Sequence, residues 1–246
     1  MAVTALYVHV PFCAQKCRYC DFDSRSFASC DLSAALDVYF EQLYARLDAF
    51  GDAGALAQVR TVYVGGGTPS LAGERLVELA RRICMWCKPV EFTCEANPES
   101  LTAGLATALA KVGVTRVSLG VQTLDNAELA AIGRIHDADR ALAAITTVKD
   151  AGLDVSCDLM CGLPGQTAVS WQRTLDGVLR RRRIMCRCTR SRSRGARRST
   201  TWRVATSRSS PTRIFRLRAW TRRVNAWVRP AITRMRWQAT RSTDMS

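Results

Sequence analysis

The chain has 246 residues, 11 cysteines and a formal net charge of +15. That length can bury a full core in one large domain or two small ones. No basic segment leads into an apolar run and no stretch approaches about 18 uninterrupted apolar residues, so neither a signal peptide nor a membrane span is expected. An odd cysteine count in a long chain argues against a disulfide scaffold and for a reducing, cytoplasmic setting in which clustered thiols serve metal or redox chemistry.

In chain order, β-rich runs fall at residues 6–10, 61–64, 90–93, 116–121 and 155–160. Helix-like segments fall between and after them, at 32–50, 73–87, 101–112, 138–151 and 170–179. The second helix shows the pattern plainly, with Leu76, Leu79, Ala80 and Ile83 at helical spacing. Strands separated by helices imply right-handed crossovers and a parallel sheet. The expected fold class is therefore α/β, a partial TIM-like (β/α) barrel, with its chemistry at the C-terminal ends of the strands.

The polar punctuation obeys that rule. Cys13, Cys17 and Cys20 follow the first strand, and Gly65-Gly66-Gly67-Thr68-Pro69 follows the second. Glu95-Ala96-Asn97-Pro98 ends the third, Gly120-Val121-Gln122 the fourth, and Asp158 with Gly162-Leu163-Pro164-Gly165 the fifth. A compact loop can turn three thiolates toward one centre, which suits an iron–sulfur cluster or zinc. Zinc would need a fourth ligand, for which His9 is nearest, although its strand rather than the loop sets its aim. A four-iron cubane held by three cysteines leaves one iron open to a small molecule. The glycines let a backbone approach a ligand, and their N–H groups are expected to be free for a carboxylate; taken alone, they read as a tight turn. Cys84 and Cys87 share one face of an amphipathic helix and read as core thiols, as do Cys30, Cys94, Cys157 and Cys161. His136 reads as a surface residue.

Tyr7-x-His9-x-Pro11-Phe12-Cys13-x3-Cys17-x-Tyr19-Cys20-Asp21-Phe22 resembles the opening of radical S-adenosylmethionine (SAM) proteins. More narrowly, it is similar to the oxygen-independent coproporphyrinogen III dehydrogenase and heme chaperone family. The resemblance implies a 4Fe-4S cluster on Cys13, Cys17 and Cys20, whose open iron takes the amino and carboxylate groups of SAM for reductive cleavage to a 5′-deoxyadenosyl radical. It also implies that Gly66, Gly67 and Thr68 bind the amino-acid end of SAM and that Glu95 takes its ammonium group. Tyr7, Gln122, Arg134 and Asp158 would line the cofactor or substrate pocket. Within this family the decarboxylating dehydrogenases carry a fourth cysteine where this chain has Phe22. The resemblance thus favours the heme chaperone branch, which binds heme and hands it to acceptor proteins. The oxidative decarboxylase of porphyrin biosynthesis is the alternative. Heme or a porphyrinogen, an electron-donor protein and a heme acceptor are the implied partners, with membrane contact only through an acceptor and no nucleic acid.

Beyond residue 179 the resemblance stops. Residues 1–179 hold 15 basic and 20 acidic side chains, whereas residues 180–246 hold 21 arginines, no lysine, four tryptophans and one acid, Asp244. Such a tail could bind RNA or remain solvated and disordered. Its exclusive use of arginine, with Ser, Thr and Trp, matches GC-rich coding DNA read out of frame. Joining the last base of each codon to the first two of the next lets residues 184–195 encode HHVSVYPLSIEG, which resembles the family's downstream sequence. The expectation is a radical SAM core over 1–179 and an out-of-frame, disordered tail over 180–246, after a frameshift near 179–183. A chain so altered lacks the family's downstream His-Asn-x-x-Tyr-Trp motif, associated with heme handling, and is expected to be impaired in activity.

Overall fold

A computed structural model describes residues 3–26, 32–181, 184–190 and 201–205. Strand β1 (Ala5–Val10) is followed by the short β2 (Phe12–Cys13) and β3 (Arg25–Ser26), then helix α1 (Leu32–Asp52). Strand β4 (Thr61–Gly66), a 3-10 turn (Pro69–Ala72), α2 (Glu74–Trp86), β5 (Glu91–Ala96), α3 (Ala103–Lys111) and β6 (Arg116–Gln122) come next. Helices α4 (Asn126–Ala131) and α5 (Ala138–Asp150), β7 (Asp154–Cys161), α6 (Ala168–Leu179), β8 (Ile184–Arg190) and β9 (Thr201–Ala205) complete the order. The main sheet runs β1-β4-β5-β6-β7-β8-β9. Among the described residues no helix is long and apolar enough to cross a membrane.

By its internal contacts the chain divides into two units, Met1–Gly120 with Arg140–Ser156, and Val121–Asp139 with the chain from Cys157 onward. In the first unit β1 pairs in parallel with β4, β4 with β5, and β5 with β6. This sequential order, with a helix in each crossover, places the helices on one face, as barrel building requires. The strands contribute Val8, Val10, Val62, Val64, Phe92 and Leu119 to the core, each 5% exposed or less. Helix α2 buries Leu76, Leu79, Ala80 and Ile83 completely, and truncating one of those leucines to alanine costs about 2–5 kcal/mol. The Thr102 side chain accepts from Leu105 N and starts α3, a cap that stabilises by about 1 kcal/mol. Arg140 of α5 donates to the carbonyls of Pro98 and Leu101 at 3.0 and 3.1 Å, which fixes the turn after β5.

In the second unit Asp125 caps α4 by accepting from Ala127 N and Glu128 N. Thr167 and Ser170 form a reciprocal capping box on α6, whose Trp171, Leu175 and Val178 are fully buried. Strands β8 and β9 pair antiparallel, from Met185 opposite Ala205 to Thr189 opposite Thr201. These strands fall within the stretch from residue 180 onward that was expected to be disordered. The strand pattern is visible in β8, where Ile184, Cys186 and Cys188 alternate and are buried, while Met185 and Arg187 lie between them. The remainder of the tail lies outside the described residues.

Candidate functional site

Strand β1 delivers the chain directly into the cysteine loop. Phe12–Cys13 pairs with Arg25–Ser26, and Arg25 N donates to Pro11 O at 2.8 Å, so the loop closes on its own base. Inside it, Cys20 N donates to Cys17 O at 3.1 Å, and Lys16 Nζ donates to the carbonyls of Phe22 and Ser24, both at 3.3 Å. Cys13 is buried, Cys17 and Cys20 are half-buried, and none of the three is in a disulfide. Among the described residues no three His, Cys, Asp or Glu side chains converge closely enough to hold one metal ion. A cubane takes one thiolate per iron and does not need them to.

His9 lies beneath this loop. Its Nε2 is 2.8 Å from the carbonyl of Asp23 and its Nδ1 is 2.9 Å from the Tyr7 hydroxyl. A carbonyl only accepts, so Nε2 carries a proton and donates to Asp23 O. Tyr39 donates to the backbone oxygen of His9 and meets Phe12 edge-on, with ring centroids 5.2 Å apart.

The glycine loop is packed against the same backbone. Gly67 N donates to Val10 O at 2.8 Å and Thr68 N to Phe12 O at 2.7 Å. Gly66 N donates to Glu95 Oε2 at 3.0 Å, and Tyr63 donates to Glu95 Oε1 at 2.6 Å. The expectation of free amides here is corrected, because these three serve to join the loop to β1, β2 and Glu95. The need for glycine is steric. A Cβ on Gly67 would lie 2.5 Å from Phe12 O, and one on Gly66, at φ +122°, would lie 2.7 Å from the His9 ring. Thr68 is buried and accepts from Asn97 Nδ2 at 3.1 Å. Tyr7 is exposed and stacks near Tyr63, with centroids 6.2 Å apart. Partial burial, and secondarily the Glu95 charge, push the Tyr7 phenol above its usual value. Tyr7, Gly66, Gly67, Thr68 and Glu95 thus form one connected constellation with the base of the cysteine loop.

The second unit carries the other three expected residues. Gln122 is 6% exposed and adopts φ +64°, alone among the described non-glycine residues. Such a conformation costs on the order of 1–3 kcal/mol and collects at functional sites. Asp158 is held by Arg187, Nε to Oδ1 at 2.6 Å and Nη2 to Oδ2 at 2.7 Å. Arg134 is half-buried, and its amide donates to Leu129 O at 2.9 Å. His136 is 5% exposed, not a surface residue, with Nε2 3.4 Å from Val121 O. The sequence reading also missed Glu128, a buried acid. Its signal was Asp125 followed three residues later by an acid, a helix-start pattern.

Cys87, Cys94 and Cys157 behave as core thiols. Burial lifts Cys87 to about 11 and Cys94 further, and it holds Cys157 well above the usual thiol value. Cys84 and Cys161 are half-buried, and Cys30 lies outside the described residues.

A loop of three thiols outside any disulfide, joined to a positioned carboxylate and set at the ends of parallel strands, has the donor chemistry for a thiolate-bound cluster and an ammonium-bearing ligand. Residues 7–177 match the Radical SAM superfamily, and the chain belongs to it. It is 36% identical over 170 residues to the heme chaperone HemW of Haemophilus influenzae, covering 66% of this chain and 44% of that protein. It is 34% identical over 179 residues to the heme chaperone HemW of Bacillus subtilis, covering 70% and 46%. The chain therefore spans less than half the length of these curated relatives. Among solved structures, Escherichia coli coproporphyrinogen III oxidase (HemN), a radical SAM enzyme, superposes with a TM-score of 0.68 at 23% identity, over 78% of this chain and 45% of that one. That likeness gives the fold, a partial TIM-like radical SAM barrel.

Proposed function

We propose that this chain is the cluster- and SAM-binding part of a heme chaperone of the radical SAM class, working in the cytoplasm. The observation that carries the choice of branch is Phe22, 62% exposed two residues after Cys20, where the decarboxylating enzymes of the resembled family have a fourth cysteine. The names of the relatives quoted above support the same branch. Cys13, Cys17 and Cys20 would hold a 4Fe-4S cluster, which when bound supplies an electron and an open iron to SAM. Glu95, fixed at both oxygens by Tyr63 and Gly66, would receive the SAM ammonium. Gly66, Gly67 and Thr68 would bind the amino-acid end of SAM, and Tyr7, Gln122, Arg134 and Asp158 would contact cofactor or substrate. Heme is the cargo on this reading, passed to an acceptor protein, with an electron-donor protein serving the cluster.

Anaerobic reconstitution with iron and sulfide, followed by SAM equilibrium dialysis and heme titration, tests the reading. Stoichiometric cluster and saturable SAM and heme binding are expected; coproporphyrinogen turnover without heme binding would place the protein in the decarboxylating branch instead. The arginine-rich composition supports a second element, a frameshift near residues 179–183, with weak heme transfer by the 246-residue chain. Resequencing the gene there decides it, since an unbroken frame encoding the arginine-rich tail contradicts the slip.

A further inference from the structure

The second unit contains a buried acid that no part of the cofactor reading uses. Glu128 is 4% exposed, and its carboxylate accepts from three side-chain donors. Thr123 Oγ1 donates to Oε2 at 2.6 Å, Gln166 Nε2 donates to Oε2 at 3.0 Å, and Ser170 Oγ donates to Oε1. Burying an acid is costly unless its acceptors are filled. Here they are filled from two stretches of chain, the turn at Thr123 and the segment from Gln166 to Ser170.

Those two stretches, and the helix that bears Glu128 itself, each lead to an expected cofactor residue. Thr123 is the neighbour of Gln122, whose backbone sits at φ +64°. Thr123 Oγ1 also lies 3.2 Å from Thr174 Oγ1, which accepts from Leu124 N at 3.0 Å, so the turn after β6 is anchored to α6. Gln166 is clamped in turn. Its Oε1 accepts from Gly162 N at 2.6 Å and Leu163 N at 3.4 Å, while its Nε2 also donates to Met160 O at 3.2 Å. That holds the end of β7, the strand that bears Asp158. Glu128 itself lies in α4, whose end is closed by Ile132 N to Glu128 O and Arg134 N to Leu129 O, at 3.2 and 2.9 Å.

We propose that Glu128 is a positioning residue, a shared acceptor that sets the Gln122 turn, the Asp158 strand end and the Arg134 segment in one mutual arrangement. The proposal rests on the cofactor reading for its functional consequence. Its structural half stands on the hydrogen bonds alone. A strained backbone persists only where its surroundings over-determine it, and the Thr123–Glu128 bond is adjacent to such a residue. Glu128 touches neither substrate nor cofactor in this account and acts through its neighbours.

Two variants separate hydrogen bonding from charge. Glu128→Ala removes the acceptor from all three donors. Glu128→Gln keeps a carbonyl for Thr123 and Gln166, and the Ser170 hydroxyl can accept from the new amide. Hydrogen–deuterium exchange of the full chain should show Glu128→Ala accelerating exchange in residues 121–134 and 158–167 while α1–α3 keep wild-type protection. In reconstituted protein the same variant should weaken SAM binding about tenfold, the scale of one or two orphaned buried donors, with iron content unchanged. Glu128→Gln should stay near wild type in both. Should Glu128→Ala fail to fold, Thr123→Val removes a single donor and should weaken SAM binding about threefold. Unchanged exchange in those segments overturns the proposal, as does loosening that spreads through α1–α3. Wild-type SAM affinity despite local loosening also overturns it, and equal damage from Gln and Ala assigns the effect to charge and against the shared acceptor. If the wild type itself binds no SAM, the cofactor reading fails, and the exchange pattern still decides the role of Glu128.

Discussion

Arg187 grips Asp158 through two parallel bonds, Nε to Oδ1 and Nη2 to Oδ2, at 2.6 and 2.7 Å. The arginine comes from the segment expected to be out of frame, and the aspartate is an expected pocket residue. A forked guanidinium–carboxylate pair is strong and directional, so a ligand that needs Asp158 must displace it. Arg187→Leu should therefore tighten SAM binding, by about two- to tenfold given the modest strength of partly exposed pairs. Equilibrium dialysis on reconstituted protein measures it, and an unchanged affinity removes Asp158 from the binding site.

The thiols divide into two groups. Alanine at Cys13, Cys17 or Cys20 should each reduce reconstituted iron to background, because three ligands leave no redundancy. Cys84→Ala and Cys87→Ala should leave iron content unchanged, since Cys84 lies in α2 and Cys87 at its end, outside the cysteine loop. Iron analysis and cluster absorbance across the five variants check the division.

Gly67→Ala brings a methyl group within 2.5 Å of Phe12 O, which is backbone and cannot swing aside. Gly66→Ala meets the His9 ring and also strains a backbone at φ +122°. Both should lower stability by more than about 1 kcal/mol. Gly54→Ala, with nothing within 4 Å of its Cβ, isolates the cost of positive φ from that of collision. Urea midpoints compare the three.

Alkaline pH should unfold the protein through its buried thiols. Burial, and secondarily the neighbouring Cys84, lift Cys87 to about 11, against roughly 8.5 for an unfolded cysteine. Above that lower value the unfolded chain loses the proton first, so it holds fewer protons than the folded one and stability falls as pH rises. The loss is complete once pH passes the folded value. One thiol contributes at most about 1.4 kcal/mol per pH unit within that window. Urea midpoints from pH 8 to 11 should fall, and Cys87→Ala should fall less steeply.

Much of the barrel was legible because its periodicities are local. Helix α2 was expected at 73–87 and is observed at Glu74–Trp86, since Leu76, Leu79, Ala80 and Ile83 form one unbroken apolar stripe. The order of motifs along the strand ends was equally plain. What escaped depends on partners distant in sequence. Nothing near Gly67 and Thr68 reveals that their amides are used by Val10 and Phe12. His136 was misread because its burial comes from tertiary packing rather than from its neighbours in the chain. Strand β8 was hidden by composition, its arginines masking the alternation of Ile184, Cys186 and Cys188.

The two bonds from the glycine loop to the carbonyls of Val10 and Phe12 have a mechanical consequence. They hang the second motif from the stem of the first, with Gly66 passing the linkage on to Glu95. Cysteine loop, glycine loop and carboxylate therefore behave as a single truss. Bracing the thiol end stiffens the carboxylate end as well.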